Sequence, residues 1–415
     1  MATQTRPDPG STRQTTLPPS SRPRSAATAS GTVVRTDPDP LTDLITLEEN
    51  SGIEGVRASP LDNIDQCIDQ RHKYDGRHIG QLIGQMSDAK PSEPGGPRPT
   101  YAQNWPAYNA AQAAEFRLFH NLLSDLVENI EEPQRQGAGR PSIPLRDQAF
   151  CTIQKVYSQM SCRRAHGLIE DAADRGQVGH APHYNTSSKF LSRPDATPIL
   201  RALLRLTAMP LAVFENQIAI DSTGFRTRSF GAYCAEKHGV KREHVWLKAH
   251  LSTGVRTNII TDAIVTDSVG KGTGDSTLLP PLLQGTADAG FKIERVNADK
   301  AYSSRRVYQA IETIGAEAFI PFRSNARGLG KGSALWHKAF YFFQLHRAEF
   351  DPIYHKRSNV EATIAAIKKK LGENLKSKGR VAQENELLSK VIAYNITILI
   401  HEMHENGISP DFSTS

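Results

Sequence analysis

The chain has 415 residues, 38% of them hydrophobic, and a formal net charge of +6, which allows a sizeable core and rules out a wholly disordered polyelectrolyte. No apolar run is long enough for a signal peptide or a membrane span, which predicts a cytoplasmic protein without membrane contact. The four cysteines, Cys67, Cys151, Cys162 and Cys234, show no repeated pair spacing, so a secreted disulfide scaffold is excluded in favour of a reducing compartment.

Residues 1–40 are rich in Pro, Ser, Thr and Arg with almost no large apolar side chain, which predicts a disordered tail. Residues 41–138 form a poorly defined region with a Pro/Gly linker near 92–99. In it Cys67, His72 and His78 cluster, but no C-x2-C pair anchors a zinc site. Trp105 to Ile130 reads as a helix leading into a basic segment from Arg135 to Arg140. Residues 139–212 read as helical: Leu145 to Gln159, a second helix capped by Ser161 and running through Ala173, and a third from Asn185 to Leu191. A three-helix unit carrying Arg140, Arg163, Arg164 and Lys189 suits groove recognition in helix-turn-helix manner, or is a packing subdomain without base contacts.

Gln217 to Ile220 reads as a buried strand ending on Asp221, with the turn-prone Ser222, Thr223 and Gly224 after it. His244 to Leu251 and Thr257 to Asp267 read as paired strands, with Lys248 and His250 alternating against Leu247 and Ala249. Asp275 reads as the cap region of a short helix from Ser276 to Leu283 that Pro280 and Pro281 would disturb. Phe291 to Val296 reads as a strand running into Asn297, Ala298 and Asp299, followed by a helix from Ser303 to Gly315 and a strand from Phe319 to Phe322. An aromatic segment, Trp336 to Phe350, suits core packing, or base stacking by Trp336 or Tyr341.

Tyr354, Arg357, Glu361 and Lys368 are spaced by three, four and seven residues, which predicts four reactive side chains on one face of one helix. That row lies roughly 80° from an apolar stripe of Val360, Ile364, Ile367 and Leu371. Taken alone it is an ordinary surface helix with a weak Arg357–Glu361 pair. With Asp221 and Asp299 delivered by strands, three carboxylates would meet, and their repulsion predicts a divalent cation. The basic run of Lys368, Lys369, Lys370, Lys376, Lys378 and Arg380, opposed only by Glu373, would track a phosphate backbone beside such a site, and is otherwise a solvated face.

The segments from Ala219 to Phe225 and from Asn297 to Ser303, with the Y-x2-R-x3-E-x6-K pattern from Tyr354 to Lys368, resemble the DDE transposases of bacterial insertion sequences of the IS4 and IS5 type. The likeness runs from about Gly139 to the helix near Ile400. It implies an α/β fold: an RNase H-like mixed sheet flanked by helices, preceded by a small helical domain and a disordered N-terminus. The catalytic domain would span 213–405, with an insertion at about 323–350, and leave a tail at 406–415. Asp221, Asp299 and Glu361 would be the catalytic, metal-holding residues for two Mg²⁺ ions, with Mn²⁺ able to substitute. Tyr354, Arg357, Lys368, Lys369 and Lys370, with Arg163 and Arg164, would contact DNA. The partners implied are double-stranded DNA, as terminal inverted repeats and target, and a second copy of the chain in a homodimer on DNA, in a nucleoid-associated setting. The expected reaction is metal-dependent cleavage and strand transfer of insertion-sequence ends. The alternatives are a domesticated, non-catalytic DNA-binding protein and a stand-alone RNase H-like nuclease.

Overall fold

This computed structural model describes residues 104–134, 142–227, 246–268, 270, 272–328 and 332–413. The expectations for the tail at 1–40, the linker at 92–99, the Cys67, His72 and His78 group, Arg140 and Cys234 lie outside the described residues.

Helices come first: α1 (Trp105–Val127), α2 (Leu145–Tyr157), α3 (His166–Asp174), α4 (Thr186–Leu191) and α5 (Ala196–Ala208), the last running into a 3-10 turn (Met209–Phe214). Asn104 starts α1 by accepting from the Ala107 N–H at 3.2 Å, as an N-cap should. The helix expected from Ser161 begins later, because Cys162 to Ala165 form turns, and Arg163 and Arg164 are exposed on those turns. The sheet follows: β1 (Gln217–Arg226), β2 (Trp246–Gly254) and β3 (Ile260–Asp267) form an antiparallel meander. After α6 (Asp275–Asp288), β4 (Arg295–Ala298) pairs parallel to β1, and after α7 (Arg305–Thr313), β5 (Glu317–Phe319) pairs parallel to β4. The strand order is β3-β2-β1-β4-β5. Last come α8 (Ala334–Leu345), α9 (Arg347–His355), α10 (Ser358–Leu371) and α11 (Arg380–Glu405). The fold is therefore α/β, a mixed sheet with flanking helices.

The strands expected at Phe291 to Val296 and Phe319 to Phe322 form at Arg295–Ala298 and Glu317–Phe319 instead, and three further local expectations change. β1 does not end at Asp221: it continues to Arg226, because β2 supplies a ladder from Gly254 to Trp246 that keeps Ser222, Thr223 and Gly224 extended. The helix at Asp275 runs through Pro280 and Pro281. Leu279, Leu282 and Leu283 are buried on its inner side, while Pro281 is exposed, so tertiary burial outweighs two missing N–H donors. Tyr354 also stands on α9, apart from Glu361 and Lys368 on α10. The helix ends in i→i+3 bonds from the Lys356 and Arg357 N–H groups to the Ile353 and Tyr354 carbonyls, and the Asn297 amide also donates to the Ile353 carbonyl at 2.6 Å.

α11 binds the pieces together. It is buried on nearly every side along its middle, as expected of a helix in a core. Asn395 on it accepts from the Ile260 N–H at 3.0 Å and donates to the Ile260 carbonyl at 2.7 Å, which satisfies the start of β3. Asn385 donates to the carbonyls of Leu191 and Arg193, fastening the end of α4. The stretch Ala196–Phe214 is long and apolar enough to cross a membrane by length and composition, where the sequence reading expects no such run. Here Leu200, Leu203 and Leu204 are buried in the core, and Arg201 and Arg205 on the same helix pair with the fully buried Asp262 at 2.6 and 3.1 Å.

Candidate active site

β1 and β4 lie side by side in parallel, with Ile220 opposite Ala298. Asp221 and Asp299 are the next residues of each strand line, so they leave the sheet as neighbours. Their shared face is fixed by alternation: the Gln217 amide donates to the Asn297 side chain at 2.9 Å across the same strand pair, and Asp221 and Asp299 follow those two residues at even spacing. α10 covers this face. Val360 and Ile364 pack on Ala219 and Val255 in a small apolar cluster, which sets Glu361, one residue beyond Val360, at the cluster's rim.

Arg357, at the N-cap position of α10, bridges the acids. Its guanidinium donates to Asp221 Oδ2 at 3.4 Å and to Glu361 Oε1 at 2.7 Å. The Asp221 and Arg357 side chains are mostly covered, and that of Glu361 is 56% exposed, so the patch opens to solvent on the Glu361 side. Asp299 Oδ1 accepts from the Lys300 N–H at 2.7 Å, beginning a short 3-10 turn (Lys300–Tyr302). The Asp221 carboxyl is pushed above the ordinary carboxylate range, chiefly by burial. The Ser222 N–H and Arg357 oppose that shift, and the charges of Asp299 and Glu361 add to it. Asp221 and Asp299 thus leave adjacent strands, and Arg357 links Asp221 to Glu361.

The row continues along β1. Lys368 donates to Thr223 Oγ1 at 2.7 Å and lies over the Phe225 ring, and burial holds its ammonium below the usual lysine range. Thr223 and Phe225 share the face of Asp221, so Lys368 extends a line of polar groups from the acids. Tyr354 stacks on Phe350 and lies under the Arg357 guanidinium at 5.9 Å. Lys369 is exposed, whereas Lys370 turns back to Glu115 on α1 at 2.6 Å. Arg163 lies over the Tyr184 ring at 5.3 Å, apart from the acids in the helical region. Trp336 is buried with its indole N–H bound to the Arg327 carbonyl, which is packing.

The donor set is oxygen-only, with no Cys or His among the three acids, and it carries more negative charge than Arg357 balances. That chemistry fits a hard divalent cation. Among the described residues, no three His, Cys, Asp or Glu side chains are gathered closely enough to form a finished ligand set; Arg357 holds Asp221 and Glu361 through its two arms. The sequence names Lys248, His250 and Asp275 without giving them a place beside Ser222, which the structure assigns on the opposite sheet face; the supporting roles of Thr223 and Asn297 are the ones it missed. Strand alternation past Asp221 would have pointed to Thr223.

Residues 213–396 match the family described as the transposase DDE domain. Among solved structures, the chain is similar to a piggyBac transposase synaptic complex with hairpin DNA determined by cryo-EM, with 11% identity, 72% of this chain and 77% of that chain covered, and a TM-score of 0.34. A superposition that loose leaves the fold to be judged from the strands themselves. The match at 213–396 supports a transposase enzyme.

Proposed function

For a chain whose residues 213–396 match the transposase DDE domain, we propose metal-dependent cleavage and strand transfer at the DNA ends of an insertion sequence of the IS4 and IS5 type, carried out by Asp221, Asp299 and Glu361. The observation that carries this reading is the shared patch: two strand-borne aspartates side by side, a helical glutamate at their rim, and an Asp221 carboxyl raised in part by the other two. The strand order, with the first acid on β1, the second directly after β4 and the third on a later helix, supports an RNase H-like description of the sheet.

Asp221, Asp299 and Glu361 would hold the metal. A bound pair of Mg²⁺ ions, or Mn²⁺ in their place, supplies Lewis acidity to the scissile phosphate, the attacking oxygen and the leaving oxygen. The chain's own groups bind and orient. Arg357 holds a phosphate oxygen once its fork is released from Asp221, and Lys368 and Lys369 place point charges along the departing backbone. Tyr354, stacked on Phe350, presents its ring edge beside that path. Water attacks the phosphodiester at the element's end and the P–O3′ bond breaks, leaving a 3′-hydroxyl and a 5′-phosphate; that hydroxyl then attacks a target phosphodiester and displaces the target's own 3′-oxygen, so one site serves twice. Arg163 and Arg164, exposed in the region 139–212, serve recognition of the terminal inverted repeats, and the joining of two ends calls for a homodimer on DNA in the nucleoid.

The test is a purified full-length chain incubated with a labelled duplex of the element's own end. Nicking that requires Mg²⁺ or Mn²⁺, followed by joining of a pre-cut end to target, supports the reading. Tight binding without nicking would favour a domesticated DNA-binding protein, and nicking without joining would favour a stand-alone nuclease.

A further inference from the structure

Behind Asp221, on the opposite face of the sheet, lies a second polar cluster. In the β1–β2 ladder Ser222 pairs with His250 and Gly224 with Lys248, so Ser222, His250 and Lys248 share a face that Asp221 does not. The first residue of α6, Asp275, sits over that face. Its Oδ1 accepts from Lys248 Nζ at 2.6 Å and from Ser222 Oγ at 3.0 Å, and lies 3.4 Å from His250 Nδ1. His250 is fully buried and its Nε2 meets Thr266 Oγ1 at 3.1 Å. The Tyr302 ring closes the cluster: its hydroxyl is buried, and its phenol is held well above the ordinary range by burial and by the charges of Asp275, Asp221 and Asp299, with the Ser222 side chain opposing that shift.

Ser222 joins the two faces. Its backbone N–H donates to Asp221 Oδ1 at 2.8 Å, while its hydroxyl is held by Asp275. One residue therefore orients the carboxylate on the front of the sheet and is anchored at the back.

Resting on the metal-site reading above, we propose that Asp275, braced by Lys248, is a positioning residue that fixes the Asp221 carboxylate for metal binding through Ser222. The plain alternative is that Asp275 only favours the positive end of α6. A side chain with that role alone would have no reason to share its oxygen with β1, and removal of the Ser222 hydroxyl would leave it untouched.

The two roles separate by Mn²⁺ binding to the full-length chain, read by electron paramagnetic resonance, for the parent, Asp275→Asn, Ser222→Ala and the double variant. Partners that orient a metal ligand change metal affinity by about 10- to 100-fold when removed. We expect roughly 10-fold weaker Mn²⁺ binding in each single variant and no further loss in the double, because both cut one tether. Ser222→Ala keeps the start of α6 and the Ser222 N–H intact, so it decides the question even where Asp275→Asn folds poorly. Ser222→Ala binding within 2-fold of the parent, or losses that multiply in the double variant, would overturn the tether while leaving the metal reading standing. A parent chain that binds no Mn²⁺ would overturn the metal reading and the tether with it.

Discussion

Replacing Arg357 with methionine removes the fork that spans Asp221 and Glu361 and keeps most of its apolar bulk. The Glu361 arm is short, at 2.7 Å, but the carboxylate is 56% exposed, so that pair contributes about 0–1 kcal/mol. The Asp221 arm is longer, at 3.4 Å, yet both its side chains are about four-fifths covered. Leaving a covered carboxylate without its donor costs about 1–3 kcal/mol. The sum predicts a loss of about 1–4 kcal/mol in the metal-free chain. Urea unfolding in chelator measures it directly. Repeating the titration with Mn²⁺ adds a second number: a cation that occupies the space of the guanidinium stabilises the variant more than the parent, since in the parent it must first displace Arg357. Saturation at 100 times the dissociation constant corresponds to about 2.7 kcal/mol. A loss below about 0.5 kcal/mol in chelator, far under the expected range, or equal stabilisation of both proteins by Mn²⁺, would refute the idea that Arg357 and a metal answer the same charges.

Asp221→Asn, Asp299→Asn and Glu361→Gln should each abolish metal-dependent nicking while leaving the affinity for an end duplex within a few-fold, as measured by fluorescence anisotropy; full cleavage by any of them removes that residue from the site. Lys368→Met should weaken end binding and reduce the slope of log affinity against log salt by about 0.9, the contribution of one phosphate contact, whereas an unchanged slope would return Lys368 to a packing role over Phe225. His250 is held down to about 4 from 6.5 by burial. The folded state therefore binds fewer protons than the unfolded chain in that window, so stability is lost as pH falls from about 6.5 to about 4, by roughly 3 kcal/mol. Urea melts at the two ends of the window should show this loss in the parent and a flatter profile in His250→Asn.

Much of the site was legible because its residues obey short periods. The 3-4-7 spacing of Tyr354, Arg357, Glu361 and Lys368 marks the wall of the patch, and two apolar strand runs end near acids. What escaped depends on partners distant in sequence. β1 looks finished at Asp221 until β2, a strand from a later segment, is seen holding Ser222 to Arg226 extended. The break between α9 and α10 is invisible in the pattern, and the Asn297 amide that meets the end of α9 comes from β4, far away in sequence. Pro280 and Pro281 argue against a helix locally and are overruled by the leucines buried beneath them. Asp275 reads as a capping acid, and only the packing of α6 over the face shared by Ser222 and Lys248 reveals it as the acceptor of the Ser222 hydroxyl. The basic run was partly misleading for the same reason: Lys370 is engaged by Glu115, more than two hundred residues earlier.

The central claim is that Asp221, Asp299 and Glu361 share metal. Crystals of the full-length chain grown with Mn²⁺ and an end duplex, with data collected for anomalous scattering at the manganese edge, test it most directly. The account predicts anomalous peaks about 2.1 Å from oxygens of all three carboxylates, with the Arg357 fork moved off Asp221 towards a phosphate. Peaks that engage other side chains, or an Arg357 still bridging Asp221 and Glu361 in the loaded complex, would contradict it.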